Sequence, residues 1–230
     1  MLFSMRRLSI IIPALNESAN IVAALLALAP LAGRGAQRIV VDGGSTDDTP
    51  QFARPHAERV IVAQRGRAFQ MNAGAAEASG DALLFLHADT RLPESADRLI
   101  ADALASHDWG HFDIRIDEAG AWPAVVAWFM NRRSRLSGIA TGDQAMFMRR
   151  ATFERLGGFA SIPLMEDIEM SRRLKALGPP ACLEARAVTS GRRWARHGPL
   201  RTIWLMWRLR AAYFFGVDPA RLAARYADTR

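Results

Sequence analysis

The residues with the clearest chemical potential lie in Gly80 to Arg91, GDALLFLHADTR, where an apolar run from Ala82 to Leu86 ends in His87-Ala88-Asp89-Thr90. A short apolar run after a Gly-Asp turn signal predicts a buried strand. In an open parallel sheet, ligands sit beyond the carboxyl ends of the strands, so Asp89 faces a cleft. A carboxylate there is better placed to hold a metal ion than to serve folding. The competing role for Asp89 is to cap the helix that opens near Pro93.

Further polar clusters follow other apolar runs. Leu8 to Ile12 leads into Pro13-Ala14-Leu15-Asn16-Glu17-Ser18, and Arg38 to Val41 into Asp42-Gly43-Gly44-Ser45-Thr46-Asp47-Asp48-Thr49. Two glycines let a backbone approach a ligand closely, while Ser, Thr and Asp cap a helix starting at Pro50. Arg59 to Ala63 is followed by Gln64-Arg65-Gly66-Arg67-Ala68-Phe69-Gln70-Met71-Asn72. Arg65 and Arg67 near a helix start suit a diphosphate, and a solvated basic helix is an equal reading.

The elements that must hold these groups read as alternating strands and helices. Strands are expected at 8–12, 38–41, 59–63 and 82–86, with helices over 19–31, from 50, over 68–78 and over 93–104. Four strand-helix steps joined by short loops favour a doubly wound sheet. The pattern then changes. Trp109 to Ile116 alternates like an edge or antiparallel strand, Ala119 to Arg135 like an aromatic helix, and Ala145 to Met148 like a short strand. Leu156-Gly157-Gly158-Phe159 is a turn, Pro163 to Asp167 opens a helix through Leu177, and Ala181 to Val188 is the last strand. Glu166 and Asp167, at that helix start, would complement its dipole by about 0.3–1 kcal/mol each in the absence of any other role.

Composition narrows the classes. The chain has 230 residues, half of them apolar, enough to bury a large core. The formal charge of +7 and pI near 10.9 call for an anionic partner such as nucleotide phosphates, nucleic acid or an acidic membrane surface. The single cysteine, Cys182, rules out an internal disulfide and agrees with a reducing compartment. Leu8 to Ile12 is too short for a secretory h-region, and no apolar run reaches the roughly 18–20 residues of a spanning helix. A cytoplasmic protein, soluble or peripheral at the inner face of the membrane, is the expectation.

In order along the chain, IIIPALNES, VVDGGSTDDT, GDALLFLHADT, GDQAMFMRR, LGGF and MEDIEMSRRL resemble the family 2 glycosyltransferases. The resemblance covers Leu8 to about Trp194 and implies the GT-A fold: an α/β architecture with a doubly wound, mostly parallel central sheet flanked by helices. Residues 1–195 would form that domain, with a nucleotide-binding half over about 1–92 and an acceptor-side half over about 93–195. Residues 196–230 would form an amphipathic helical C-terminal extension. The resemblance further implies a nucleotide-diphosphosugar donor, a divalent cation (Mg²⁺ or Mn²⁺) and, usually, inversion at the anomeric carbon.

Residue by residue, the resemblance places Pro13, Asn16 and Glu17 beside the nucleoside, and Asp42, Gly43 and Gly44 at the end of the second strand. It places Arg67, Gln70 and Asn72 in the segment facing the nucleotide. Asp89 matches the last acid of the metal-binding Asp-x-Asp motif, whose first acid is His87 here, an outer-shell or structural residue. The usual Asp-Asp-Gly-Ser is Asp42-Gly43-Gly44-Ser45, so uracil is not implied as the donor base. Glu166-Asp167 matches the family's Glu-Asp pair, with Asp167 the general base and Glu166 orienting it or holding the acceptor. Asp143 and Gln144 face the sugar or acceptor, or serve only the turn. Arg192, Arg193 and Trp194 resemble the Arg-Trp element of processive synthases without its upstream Gln, and reach over the diphosphate or form a solvated basic loop. His197 is a candidate later ligand. Acids 42, 89 and 167 are expected to share one crevice.

The rival readings are a sugar-1-phosphate nucleotidyltransferase and a non-catalytic basic module at a membrane surface. The first lacks its early Gly-rich loop and later Lys; the second leaves Asp42, Asp89 and Asp167 unexplained. No nucleic-acid-binding pattern is evident. Leu200 to Val217 mixes Trp204, Trp207, Tyr213, Phe214 and Phe215 with Arg201, Arg208 and Arg210, which suits a membrane interface, the domain itself or a second copy in a homodimer. With the helix over 119–135 it points to a lipid-linked acceptor.

Overall fold

Leu8–Ala14 forms the central strand β1 because its isoleucines meet apolar partners on both faces of a sheet: Ile10 and Ile12 join one core, Ile11 the other. A computed structural model describes residues 3–192 and 198–227 of the chain. The remaining strands are β2 (Gln37–Asp42), β3 (Arg59–Val62), β4 (Ala82–Phe85), β5 (Thr90–Arg91), β6 (Trp109–Asp117), β7 (Phe147–Arg149) and β8 (Ala181–Ser190). They form one sheet in the order β3-β2-β1-β4-β7-β6-β8-β5.

β1, β2, β3 and β4 pair in parallel, whereas β7 runs antiparallel to both β4 and β6. β6 lies inside the sheet and pairs in parallel with β8, interrupted by an irregularity between Phe112 and Asp113. Of the two readings its alternation allows, edge or antiparallel, it is therefore not at the edge but does pair antiparallel with β7. β5, too short to show in the sequence, pairs with β8 at the edge.

The helices are α1 (Ile21–Ala27), α2 (Ala29–Gly33), α3 (Thr49–Ala53), α4 (Arg67–Ala76), α5 (Ala96–Ser106), α6 (Trp122–Ser137), α7 (Arg150–Arg155), α8 (Glu166–Lys175), α9 (Pro199–Phe214) and α10 (Pro219–Ala227). The single helix expected over 19–31 is broken in two, because Pro30 lacks a backbone donor and sits at the first turn of α2. α4 approaches β1 and β2 so closely that a Cβ on Gly74 would lie 2.4 Å from Ile11 Cγ2 and 2.9 Å from Val41 Cγ2.

On one side of the sheet, Ile10, Leu25, Leu84, Phe112 and Phe147 share a core; on the other, Ile11, Val41, Phe85, Trp109 and Met170 do. α9 and α10 add a smaller cluster in which Leu209 and Leu222 pack with Met165. Among the described residues no helix is long and apolar enough to cross a membrane.

Candidate active site

The loops after β1 and β2 are tied to each other. Asn16, held at φ 55°, donates its N–H to Ser45 Oγ (2.9 Å) and accepts the Thr46 N–H on Oδ1 (2.9 Å). Glu17 N donates to Thr49 Oγ1 (2.8 Å) and Ser18 N to Asp47 Oδ2 (3.1 Å). The Thr49 hydroxyl foremost, then Ser18 and the Thr49 N–H, donate to Asp47 and hold its carboxyl down to about 2.

Asp42 closes β2 with 3% of its surface exposed and takes the N–H groups of Gly44 and Ser45 on Oδ2, each at 3.0 Å. Its carboxylate thus builds its own loop. Gln70, also buried, donates from Nε2 to the carbonyls of Ala14 and Val41, both at 2.8 Å, and latches the ends of β1 and β2. A Cβ on Gly43 would lie 3.1 Å from that amide, so a side chain there requires Gln70 to yield. Asn72 donates to the Phe159 carbonyl (2.9 Å) and accepts the Phe159 N–H (2.8 Å), clamping the Gly157-Gly158 turn onto α4. The amides of Gln70 and Asn72 are therefore both engaged by backbone groups.

At the end of β4, Asp89 is half-buried, and among the described residues its oxygens have long contacts, to Thr90 Oγ1 and Arg192 Nη2, each at 3.5 Å. Arg192 Nη2 also lies 3.5 Å from Glu17 Oε2, so one guanidinium bridges the β1 loop and the β4 end. Among the described residues no three His, Cys, Asp or Glu side chains form a cage for a metal ion. One loosely engaged carboxylate fits a Mg²⁺- or Mn²⁺-type ion that takes one or two carboxylates and otherwise binds phosphate and water. His87 Nδ1 is 3.1 Å from Asp143 Oδ1, and a Cβ on Gly142 would lie 2.4 Å from its Nε2. The ring is thus packed beneath the 142–144 turn.

That turn reaches the acid pair. Met165, at φ 69°, bends the chain into α8, and Asp167 accepts the Gly142 N–H on Oδ2 at 2.9 Å. Glu166 is 5% exposed; burial foremost, then the neighbouring Asp167 charge, pushes its carboxyl above the ordinary range against the pull of Arg67. Desolvation works to lower the Arg67 pKa but is outweighed by Glu166, Tyr226, Asp143 and Asp167, so the guanidinium stays charged.

Arg133 on α6 also feels Asp167 and Asp143, although desolvation dominates and lowers its pKa. Its Nη2 lies 3.5 Å from Gln144 Oε1, and its buried Nε has no partner among the described residues. Sequence reading misses Arg133, since nothing in the Arg132-Arg133-Ser134-Arg135 run distinguishes it from the exposed Arg132 beside it. Gln144 is fully buried, with Nε2 on Ser134 Oγ (2.9 Å) and a reciprocal cap with Thr141, which is the turn role rather than a surface facing a sugar.

Pro13, His87, Gly142, Glu166 and Asp167 line one crevice. Asp89 lines a neighbouring hollow of about 200 Å³ with Asn20, Arg91 and Asp117. Asp42 lines neither of these two, and Asp89 and Asp167 line different ones, so acids 42, 89 and 167 do not share either hollow. Arg193, Trp194 and His197 lie outside the described residues.

The "Glycosyl transferase family 2" profile matches residues 9–157. A "PGL/p-HBAD biosynthesis glycosyltransferase" of Mycobacterium bovis is 39% identical over 109 residues, covering 44% of this chain and 42% of that protein. "Succinoglycan biosynthesis protein ExoA" of Rhizobium meliloti is 36% identical over 107 residues, covering 42% of this chain and 32% of that protein. The matches thus span less than half the length of these relatives.

Among solved structures, mannosyltransferase PcManGT from Pyrobaculum calidifontis, in complex with GDP-Man and Mn²⁺, has a TM-score of 0.66 at 20% identity, over 91% of this chain and 61% of that one. Glucosyl-3-phosphoglycerate synthase from Mycobacterium tuberculosis, with Mn²⁺, UDP and glucosyl-3-phosphoglycerate, has a TM-score of 0.62 at 20% identity, over 93% and 80%. The eight-stranded mixed sheet flanked by helices is thus the GT-A architecture of these neighbours. With the family profile matched over most of the sheet and through the loops that carry Asn16, Asp42, Asp89 and Asp143, the chain belongs to glycosyl transferase family 2.

Proposed function

We propose that the chain transfers a sugar from a nucleotide-diphosphosugar to an acceptor hydroxyl with inversion, Asp167 acting as the general base. The observation that carries this is the placement of Asp167. Its Oδ2 is held by the Gly142 N–H in a crevice shared with Pro13 and His87, at the carboxyl ends of β1 and β4. A nucleotide half over 1–92 and an acceptor-side half over 93–195 describe how the two ligands would divide the domain.

In the proposed step the acceptor oxygen forms a bond to the anomeric carbon as its proton passes to Asp167. The bond from that carbon to the diphosphate oxygen breaks, and its electron pair leaves with the nucleoside diphosphate. Glu166, kept toward its neutral form by burial, can donate a hydrogen bond to the acceptor. Arg67 supplies the nearby positive charge that balances the acid pair. Asp89 is the residue that would hold a divalent cation, which when bound neutralises charge on the departing diphosphate. Arg192, more than half exposed, has the freedom to turn from Asp89 toward the same phosphates.

The relatives are named a PGL/p-HBAD biosynthesis glycosyltransferase and a succinoglycan biosynthesis protein, and the structural neighbours carry GDP-Man or UDP with Mn²⁺. They support a nucleotide-sugar donor and leave its base open, as does Gly43. A lipid-linked acceptor is part of the reading, supported by the exposed Trp128 and Phe129 on α6, the helix that also carries Arg133 to the acid pair.

A thermal-shift screen of UDP-, GDP- and dTDP-sugars with and without Mn²⁺ tests the reading. A ligand that binds only the folded state raises the melting temperature. One nucleotide class should stabilise the protein with Mn²⁺ and release nucleoside diphosphate in its presence. No stabilisation by any of the three overturns the donor assignment.

A further inference from the structure

Helix α9 is built inside out. Its inner face is buried: Leu209 packs with Met165 and Leu222, and Leu205 and Met206 lean on the same cluster beside Leu164 and Ile168. Its outer face carries Trp204, Trp207, Phe214 and Phe215, which expose 61%, 72%, 79% and 81% of their surfaces. Their spacing puts all four on one side of an α-helix, and Arg208 falls within that stripe with Arg201 beside it. Arg208 lies over the Trp204 ring, 4.3 Å from its centroid.

A second stripe lies on the neighbouring helix α6. On α6, Val125, Trp128, Phe129 and Leu136 are each more than half exposed, with exposed Arg132 among them. Ile203 of α9 packs against the Val126 and Ala127 cluster, so the two helices are neighbours. Neither helix contains an aspartate or a glutamate, although acids occur throughout the rest of the chain.

We propose that the joined outer faces of α6 and α9 dock on an anionic lipid surface. Large exposed apolar patches are rare on proteins that stay free in water. Aromatic rings suit the headgroup boundary, where one edge meets chains and the other meets water. Arginines among them extend to lipid phosphates, and the lack of acids removes the repulsion an anionic surface would otherwise exert. At 16 residues α9 spans about 24 Å, short of the roughly 30 Å apolar layer, so it lies along the surface. Its inner face rests on Met165, next to Glu166 and Asp167, so docking would hold the acid pair at a fixed height above the lipid.

The proposal does not rest on glycosyl transfer and is tested by binding alone. The full chain is floated with vesicles of phosphatidylcholine, and of phosphatidylcholine with about a third phosphatidylglycerol, at low and high salt. The wild type should rise with the anionic vesicles and be partly released by salt. Trp204→Ser with Trp207→Ser should lower partitioning at least about tenfold. Arg201→Ser with Arg208→Ser should cut binding to anionic vesicles by about fivefold per charge and leave neutral vesicles unaffected. Brominated lipid should quench tryptophan emission in the wild type, a measurement that stands even where the double variants lose the wild-type melting temperature. Absence of both flotation and quenching overturns the proposal. So does a stable dimer in light scattering that the tryptophan variant converts to a monomer, since a second copy would then cover the face.

Discussion

Asp167 Oδ2 and the backbone N–H of Gly142 are 2.9 Å apart, so the acid at the start of α8 is aimed by a turn that precedes it by 25 residues. Because a Cβ on Gly142 would lie 2.4 Å from His87 Nε2, that turn has no freedom to move toward β4. Gly142→Ala should therefore displace the N–H from Asp167. We expect turnover to fall at least about tenfold, as misaimed reacting groups do, with the nucleotide-dependent thermal shift nearly unchanged. Equal loss of both in the variant would contradict this.

Asp167→Asn keeps the shape and removes the proton acceptor. Loss of a general base lowers rate by about 10²–10⁴. Single-turnover measurements should show that loss with donor affinity retained, and a fully active variant would refute the assignment.

Asp89→Ala addresses the cation. In the wild type Mn²⁺ should add to the stabilisation by a nucleoside diphosphate, and a chelator should remove the increment. In Asp89→Ala the increment should be absent while the metal-free shift persists, read from melting curves with and without Mn²⁺.

Glu166 makes a pH prediction. Its carboxyl is raised above the ordinary 4.5 in the folded protein, so the folded state binds the proton more tightly than the unfolded one. This contribution is full below that ordinary value and is lost as pH rises through the raised one. Glu166→Gln carries no such term, so its melting temperature relative to wild type should climb as pH is raised above the ordinary 4.5 and through the raised value. A constant difference across that range would show that the site does not disfavour the charge.

Gln70→Leu separates scaffold from ligand contact. Losing the two hydrogen bonds to Ala14 and Val41 should destabilise the protein by about 1–3 kcal/mol in chemical denaturation, with donor affinity of the folded protein within about twofold of wild type.

The strand-helix rhythm, the acids at strand ends and the Glu166-Asp167 helix start are legible in the sequence because each is a local pattern: apolar runs, caps and turn residues act over a few positions. Placement is another matter. Nothing near β6 tells that its two neighbours are β7 and β8, one antiparallel and one parallel, because pairing is decided by which edges remain free once the core has closed. Gln70 and Asn72 carry amides whose chemistry suits a ligand or a carbonyl alike, and only the converging ends of β1 and β2 and the turn at Phe159 decide for the backbone. Arg133 is one arginine in a basic run until α6 packs against β6 and brings it to Asp167 and Asp143. By itself, then, the order of residues determined which chemical groups this protein has and on which kind of element each sits. The tertiary structure alone decided which of them meet, since contacts between distant segments depend on how helices and strands fill one shared volume.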